Sequence, residues 1–317
     1  MKIAFLLYPV SHVKIEEDSS FWVMHELQRR GHELYYFESR HLLWAGHSPR
    51  AYLTPARLDK KKGYLPSSPS KEAVDLRVFG SIFIRKEPPF GTDYLYSLEL
   101  LRSIKEKIFI LNDPGGIAMS NEKLFTLQFE NFIPETLVTE DVEAARVFVK
   151  HLKGKAVVKP LHEKGGLGIF STFSGDGNLP SLLQMATRSG KEKVLIQRYV
   201  PAERWGDKRL LVLNGKILGA FLRRPPAYDF RANLSVGGSM HKAYVSAWDE
   251  KLVQEMAPAL SKNGLWFVGI DVIGKYLTEV NVTSPAGIPE INHFNNVHLE
   301  RDVADFIEER AGRRHFL

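Results

Sequence analysis

The 317-residue chain contains no cysteine. That excludes a disulfide framework, a cysteine-based zinc site and a thiol nucleophile, and it suits a reducing, cytoplasmic setting. No apolar stretch approaches the roughly 18 residues that a membrane span needs, so no membrane partner is expected. The opening MKIAFLLYPVSHVK has a short apolar run closed by Tyr8 and Pro9, without a small-residue cleavage site, and reads as a buried first strand instead of a signal peptide. Common site signatures are missing too. No G-x-G-x-x-G follows the first strand, which argues against a nicotinamide or flavin enzyme, and neither a G-x-x-x-x-G-K-[ST] nor a G-x-S-x-G occurs. The 11 histidines are dispersed without an H-x-x-x-H pair, and His293 and His298 read as surface residues.

A concentrated basic patch is also lacking. The net charge is +6 and the pI about 9.2, but the cations are scattered, and the densest run, LDKKKG at 58–63, reads as a solvated loop. No nucleic-acid partner is expected; anionic small molecules fit the balance equally well.

What is present is 44% hydrophobic residues, enough for more than one folded unit. KIAFLLY is a continuous apolar run of the kind buried on both faces of a parallel sheet. DSSFWVMHELQRRG predicts a helix, with Ser19 or Ser20 as cap, Phe21, Met24 and Leu27 on one face, and Gly31 past its end. HELYYFES, SIFIRK and IFILND predict further strands, and DYLYSLELLRSIKEK a helix. Residues 45–75 show little periodicity and read as a surface loop or hairpin. This alternation predicts a parallel α/β unit over residues 1–118. From about Ser120 the pattern becomes α+β. NEKLFTLQF is helical, AVVKPL, GIFSTF and VLIQRYV are strands, Asn214-Gly215 turns a hairpin, and a helix covers about 248–262. WFVGIDVIGKYLTEVNV is a second strand pair. The expected division is a central subdomain over 119–200 and a C-terminal one over 201–317.

Several segments carry chemistry. Lys159 ends a strand before a loop holding Gly165, Gly166 and Gly168, where backbone N–H groups can approach a polyphosphate; a glycine-rich hairpin with a solvated lysine reads the same way. Asp271 is flanked by Ile270 and Val272, and Glu279 and Asn281 share one face of the next strand. Three hard oxygen donors suit Mg²⁺, or Mn²⁺, alongside phosphate oxygens and water; a half-exposed polar hairpin is the plainer reading. Convergence depends on parity. A two-residue turn at Gly274-Lys275 would set Asp271 opposite Thr278, whereas a three-residue loop sets it opposite Glu279, and the odd-length loop is expected. PAYDFRANLSVGGS, with Arg231 and Asn233, predicts a lid over an anionic centre or a mobile connector. Arg209 and Arg223 are placed to face the same centre.

In order, RKEPPF, NEKLF, PETLVT, VVKPL with its Gly-rich loop, GDKR, R-x-N-L-x-x-GG, FVGIDVIG and LTEVNVTSP resemble prokaryotic glutathione synthetase, an ATP-grasp ligase. The resemblance runs from the first strand through about Glu290. It implies an N-terminal α/β domain followed by a two-part ATP-grasp fold, with ATP between the parts, and a homo-oligomer up to a tetramer. It implies Lys123 and Lys159 on the phosphates, Gln197, Tyr199 and Val200 along the adenine, Asp207 at the ribose, and Asp271, Glu279 and Asn281 on the metal. Ser19, Ser20, Arg85, Arg223 and Ser284 would lie by the peptide, with Arg231, Asn233 and Arg209 at the transferred phosphoryl group. The implied substrates are a dipeptide acid, γ-glutamylcysteine, and an amino-acid amine, glycine. Three departures fall on the peptide side. His162-Glu163 replace an Asp-Gly, the lid carries Pro225, Pro226, Tyr228 and Phe230, and Pro289 stands where a basic residue is expected.

Overall fold

In the computed structural model, which describes residues 1–10, 17–64, 67–163 and 165–314, the N-terminal part contains thirteen of the labelled elements. These are β1 (Lys2–Leu6), α1 (Ser19–Arg29), β2 (Glu33–Phe37), β3 (Leu42–Ala45), β4 (Ser48–Ala51), β5 (Thr54–Pro55), β6 (Leu58–Asp59), β7 (Gly63–Tyr64), β8 (Val74–Asp75), β9 (Ser81–Ile84), α2 (Thr92–Arg102), β10 (Phe109–Leu111) and α3 (Pro114–Met119). The main sheet has the order β10-β9-β1-β2-β5, parallel except at β5. Ile3, Ala4, Phe5 and Leu6 are all fully buried, as a strand covered on both faces requires.

Two local readings are corrected here. The cap of α1 is Asp18, whose Oδ1 accepts the Phe21 N–H at 2.8 Å; Ser19 and Ser20 are the first helical residues and point inward. Residues 45–75 are more than a loop: β3, β4 and β8 form a small antiparallel sheet, and β6 and β7 a hairpin whose turn carries Lys60, Lys61 and Lys62.

A second sheet follows from β11 (Thr136–Thr139), α4 (Val142–His151), β12 (Ala156–Pro160), β13 (Phe170–Thr172), α5 (Leu179–Ala186) and β14 (Val194–Arg198). It is antiparallel, ordered β11-β14-β12-β13, and has a core of its own in which Ala145, Val149, Val158, Leu183 and Ile196 meet. The segment before it, expected as a helix, is a 3₁₀ stretch over Leu124–Phe132, broken at Phe129 by φ −122° and ψ 53°.

The third sheet is built from α6 (Ala202–Trp205), β15 (Asp207–Leu213), β16 (Lys216–Arg224), β17 (Ser239–Lys242), α7 (Ala247–Lys262), β18 (Phe267–Ile273), β19 (Tyr276–Asn281), α8 (Ile288–Asn295) and α9 (Leu299–Arg314). Its order is β17-β16-β15-β18-β19. Asn214 and Gly215 take φ +50° and +73°, as a two-residue primed turn needs. Its strands share cores with the first sheet: Ile82 and Ile110 with Leu210, Val268 and Val280, and Phe5 and Phe83 with Phe267 and Ile288. Buried Asn112 stitches the two sheets. Its Nδ2 donates to the carbonyls of Phe267 at 2.8 Å and Val282 at 2.9 Å, and its Oδ1 accepts the Phe267 N–H at 2.8 Å. Among the described residues, no helix is long and apolar enough to cross a membrane.

Candidate active site

The β18–β19 hairpin turns on two residues, Gly274 and Lys275, with Ile273 opposite Tyr276 and Val272 opposite Leu277. The odd-length loop expected from the sequence is not there. A β-bulge one step further along supplies the missing residue instead. The register shifts between Val272 and Asp271, so Thr278 is the extra residue and Asp271 faces Glu279. The Thr278 hydroxyl donates to the Asp271 carbonyl at 3.1 Å, pinning the bulge. Asn281 then lies beside Asp271, its Nδ2 donating to Asp271 Oδ2 at 3.2 Å. The three oxygen-bearing side chains are therefore brought together by a different device from the one anticipated.

Asp271 is also an anchor. Arg209 binds it through Nε and Nη2, the latter at 2.8 Å, and Arg223 Nη2 lies 3.0 Å from Oδ2. Burial raises the carboxyl's affinity for a proton, but Arg209 and Arg223 outweigh this and hold it well below the usual carboxylate range. Arg223 also meets Asp207 at 2.7 Å. Two guanidinium and two carboxylate groups thus form a buried network beneath the site.

The cavity above this network spans about 820 Å³, open to solvent, and is lined by both predicted lysines. Lys123 lies 3.2 Å from Glu279 Oε1 and donates to the Glu163 carbonyl at 2.7 Å. Lys159 donates to Gln197 Oε1 at 2.9 Å, and Gln197 Nε2 donates to Thr136 Oγ1 at 3.0 Å. Burial lowers the Lys159 ammonium to about 8, against the pull of Glu279. Gly165, Gly166, Tyr199, Val200, Asp207 and Asn233 also line this cavity. The Gly-rich loop and the lid are fastened to each other. Arg231 Nη1 donates to the Gly166 carbonyl at 2.8 Å and Ser235 Oγ to the Gly165 carbonyl at 2.9 Å. Asp229 holds the other edge of Arg231, with Nη2 at 2.6 Å. Phe230 packs edge-on against Tyr199 with ring centroids 6.0 Å apart.

Of the residues predicted near a peptide, Arg223 belongs to the network with Asp207 and Asp271, while Ser19, Ser20 and Arg85 gather at the 285–288 turn. Ser20 Oγ accepts from Arg85 Nε at 2.9 Å, and Arg85 Nη2 donates to the Pro285 carbonyl at 2.9 Å. Ser19 Oγ accepts the N–H groups of Gly287 and Ile288, both at 3.1 Å, so it caps α8 across the molecule. Ser284 is half-buried just past β19. Sequence reading passed over Glu122, whose Oε1 accepts from Val282 N, Thr283 N and Thr283 Oγ1 and so fixes the chain leaving β19. The signal was its place beside Lys123 in NEKLF. His293 and His298 are exposed, as expected.

Glu279 and the Asn281 carboxamide oxygen offer a divalent cation hard donors that fit Mg²⁺, with the Asp271 carboxylate, held by Arg209, Arg223 and Asn281, directly beside them. Among the described residues no group of three or more His, Asp or Glu side chains forms a cage. The set therefore suits a cation shared with phosphate oxygens, not one enclosed by protein alone.

Two family models match the chain: the prokaryotic glutathione synthetase N-terminal domain over residues 1–117 and the prokaryotic glutathione synthetase ATP-grasp domain over residues 122–296. The glutathione synthetase of Thermosynechococcus vestitus is 39% identical over 314 residues, covering 96% of this chain and 98% of that one. That of Synechococcus elongatus is 39% identical over 309 residues, covering 94% and 95%. Among solved structures, D-alanyl-alanine synthetase A from Vibrio cholerae superposes with TM-score 0.64 at 15% identity, covering 98% of each chain. An ATP-grasp ligase, PsnB, solved with Mg, ADP and a precursor variant, gives TM-score 0.62 at 16% identity, again covering 98% of each. With both halves matched, and full-length relatives well above the level at which likeness shows only a fold, the chain belongs to the prokaryotic glutathione synthetase family and is an ATP-dependent carboxylate–amine ligase.

Proposed function

We propose that the ATP-dependent glutathione synthesis of this family is carried out here in the cavity between the second and third sheets, with γ-glutamylcysteine as the acid and glycine as the amine. The observation that carries this reading is the convergence of Lys123, Lys159, Glu279, Asp271 and Arg231 on one cavity. Free carboxylates do not acylate amines, so the dipeptide's C-terminal carboxylate attacks the γ-phosphorus of ATP, giving an acyl phosphate and ADP. The glycine nitrogen then attacks the carbonyl, and phosphate leaves with the bond to the former carboxylate oxygen. Lys123 and Lys159 bind the phosphates, and the Gly165 and Gly166 backbone lies against them. Glu279, Asn281 and Asp271 would hold Mg²⁺, which when bound supplies charge neutralisation to the triphosphate. Arg231 stabilises the charge that builds on the transferring group and on the tetrahedral oxyanion. The lid fastened over the Gly-rich loop keeps water from the acyl phosphate.

The test is ADP release measured against a panel of dipeptide acids and amine acceptors. Release that requires γ-glutamylcysteine and glycine together is expected. Release with another pair only would overturn the substrate assignment and point to the altered residues at His162, Glu163 and Pro289.

A further inference from the structure

We infer that Thr136 is a positioning residue for ATP: its hydroxyl fixes which way the Gln197 amide faces, and the Gln197 carbonyl in turn holds the Lys159 ammonium at the cavity. The assignment rests on the placement of Lys159 on the ATP phosphates proposed above. It gives a task to PETLVT, a segment that touches the cavity through Pro134. Thr136 stands opposite Gln197 where β11 pairs with β14, and Gln197 stands opposite Val157 where β14 pairs with β12. Opposed residues share a face of the sheet, and Lys159 lies two residues beyond Val157 on that same face. This is the face that lines the cavity, with Val157, Lys159 and Gln197 in its wall. The other face sends Val158 and Ile196 into the core with Ala145 and Leu183. Gln197 is 1% exposed, so the polar atoms of its side chain need partners within the protein.

Counting protons sets the direction of the amide. A hydroxyl carries one proton, and that of Thr136 goes to the Pro134 carbonyl at 2.6 Å. Towards β14 the Thr136 oxygen therefore presents a lone pair, which accepts Gln197 Nε2 at 3.0 Å. An ammonium can donate but not accept, so Lys159 Nζ requires the carbonyl end, and it meets Oε1 at 2.9 Å. Both neighbours select the same orientation. A flipped amide would set its NH₂ against the ammonium and its oxygen against the hydroxyl. Satisfying that oxygen would draw the Thr136 proton away from Pro134. Without the hydroxyl, the buried NH₂ loses this acceptor, and a side chain that turns to the cavity's water to regain one lets go of Lys159. The lysine is a point charge on a flexible four-carbon stem, so a fixed ammonium is one that binding does not have to order. The side chain of Gln197 thus serves the phosphate end of the nucleotide, not its base.

The test is equilibrium binding of ATP with Mg²⁺, and separately of adenosine, which lacks the phosphates, to wild-type protein and variants. Thr136→Val keeps the branched shape that suits a strand and removes the hydroxyl; Thr136→Ala removes it as well, and the two should agree. Each should bind ATP roughly 10-fold more weakly and adenosine as wild type does. Thr136→Ser, which retains the hydroxyl, should stay within about twofold of wild type on ATP. Once Gln197→Leu has removed the amide, adding Thr136→Val should change ATP affinity by less than about twofold, because the two side chains act through one bond. Wild-type ATP affinity in Thr136→Val and Thr136→Ala would overturn the assignment. So would equal losses on ATP and adenosine, or a full loss that persists in the Gln197→Leu background; all three leave the ligase reaction standing. Lys159→Met that binds ATP like wild type would overturn the phosphate placement and this assignment with it.

Discussion

Replacing Asp271 by Asn keeps its shape and removes its charge, which separates an anchoring role from a metal-binding one. In the native network Asp271 takes four hydrogen bonds: two from Arg209, one from Arg223 and one from Asn281. The amide offers one acceptor oxygen, and its NH₂ would face guanidinium donors. Arg209 and Arg223 would then share Asp207 alone, leaving one buried positive charge uncompensated. Removing one partner of a buried ion pair costs about 3–5 kcal/mol. With a urea m-value of about 3 kcal/mol/M, that loss moves the unfolding midpoint down by about 1–1.7 M. Fluorescence of Trp266, which directly precedes β18 and packs on Phe306, reports the transition. The sign with pH follows from the depressed carboxyl. Its contribution is fully present above the unfolded pKa near 4 and is lost as pH falls through the folded value, so the gap between variant and wild type stays constant from neutrality to about pH 4 and closes below it. An inactive Asp271→Asn protein that unfolds at the wild-type urea concentration would refute the anchoring argument and leave Asp271 a metal ligand alone.

Other outcomes are equally specific. Because burial places the Lys159 ammonium at about 8 in the free protein, ATP affinity should weaken by about tenfold per unit as pH rises above 8. Gln197→Glu, which sets a carboxylate beside that ammonium, should move the break upward. Equilibrium titrations of ATP between pH 7 and 9.5 check both, and a flat profile contradicts them. Arg231→Lys cannot hold the Gly166 carbonyl and a phosphoryl oxygen in one planar fork, so kcat should fall about 100-fold with KM for ATP nearly unchanged. A Cβ at Gly166 would stand 2.6 Å from Asn233 Oδ1 on a backbone with φ +80°; Gly166→Ala should raise KM for ATP at least tenfold and, at about 1–2 kcal/mol of strain, lower the urea midpoint by about 0.3–0.7 M.

Strands such as β1 are legible because four consecutive apolar residues admit few other placements. The 45–75 region was not, because strands of two to four residues are too short to show a period. Asp18 and the two serines after it all satisfy the capping rule. What turns Ser19 and Ser20 inward is Gly287 and Arg85, far along the chain. The hairpin is the instructive case. Counting residues correctly showed that one extra was needed between Asp271 and Glu279, yet parity does not say where it sits. Thr278 is β-branched and looks like ordinary strand, so the bulge left no mark. The motifs singled out Lys123, Lys159, Gln197, Arg231 and Glu279, which all line one cavity, while the partners of the Gln197 side chain, Lys159 and Thr136, lie on other strands and leave no mark in the motif. Glu122 and Asp229 act through backbone groups and a neighbouring arginine, which no spacing in the sequence advertises.

The distribution of apolar contacts has a mechanical consequence. Two cores run continuously from the first sheet into the third, and Asn112 bonds across that seam, whereas the core of the second sheet draws, among the described residues, on 142–196 alone. Three sheets therefore amount to two stiff bodies. Substrate entry and product escape must be accommodated where the smaller body meets the larger, along the Arg231–Gly166 and Ser235–Gly165 fastenings. Amides in 142–196 should exchange with solvent as one group, on their own timescale. Substitutions that loosen those two fastenings should change how fast ADP leaves without softening the larger body.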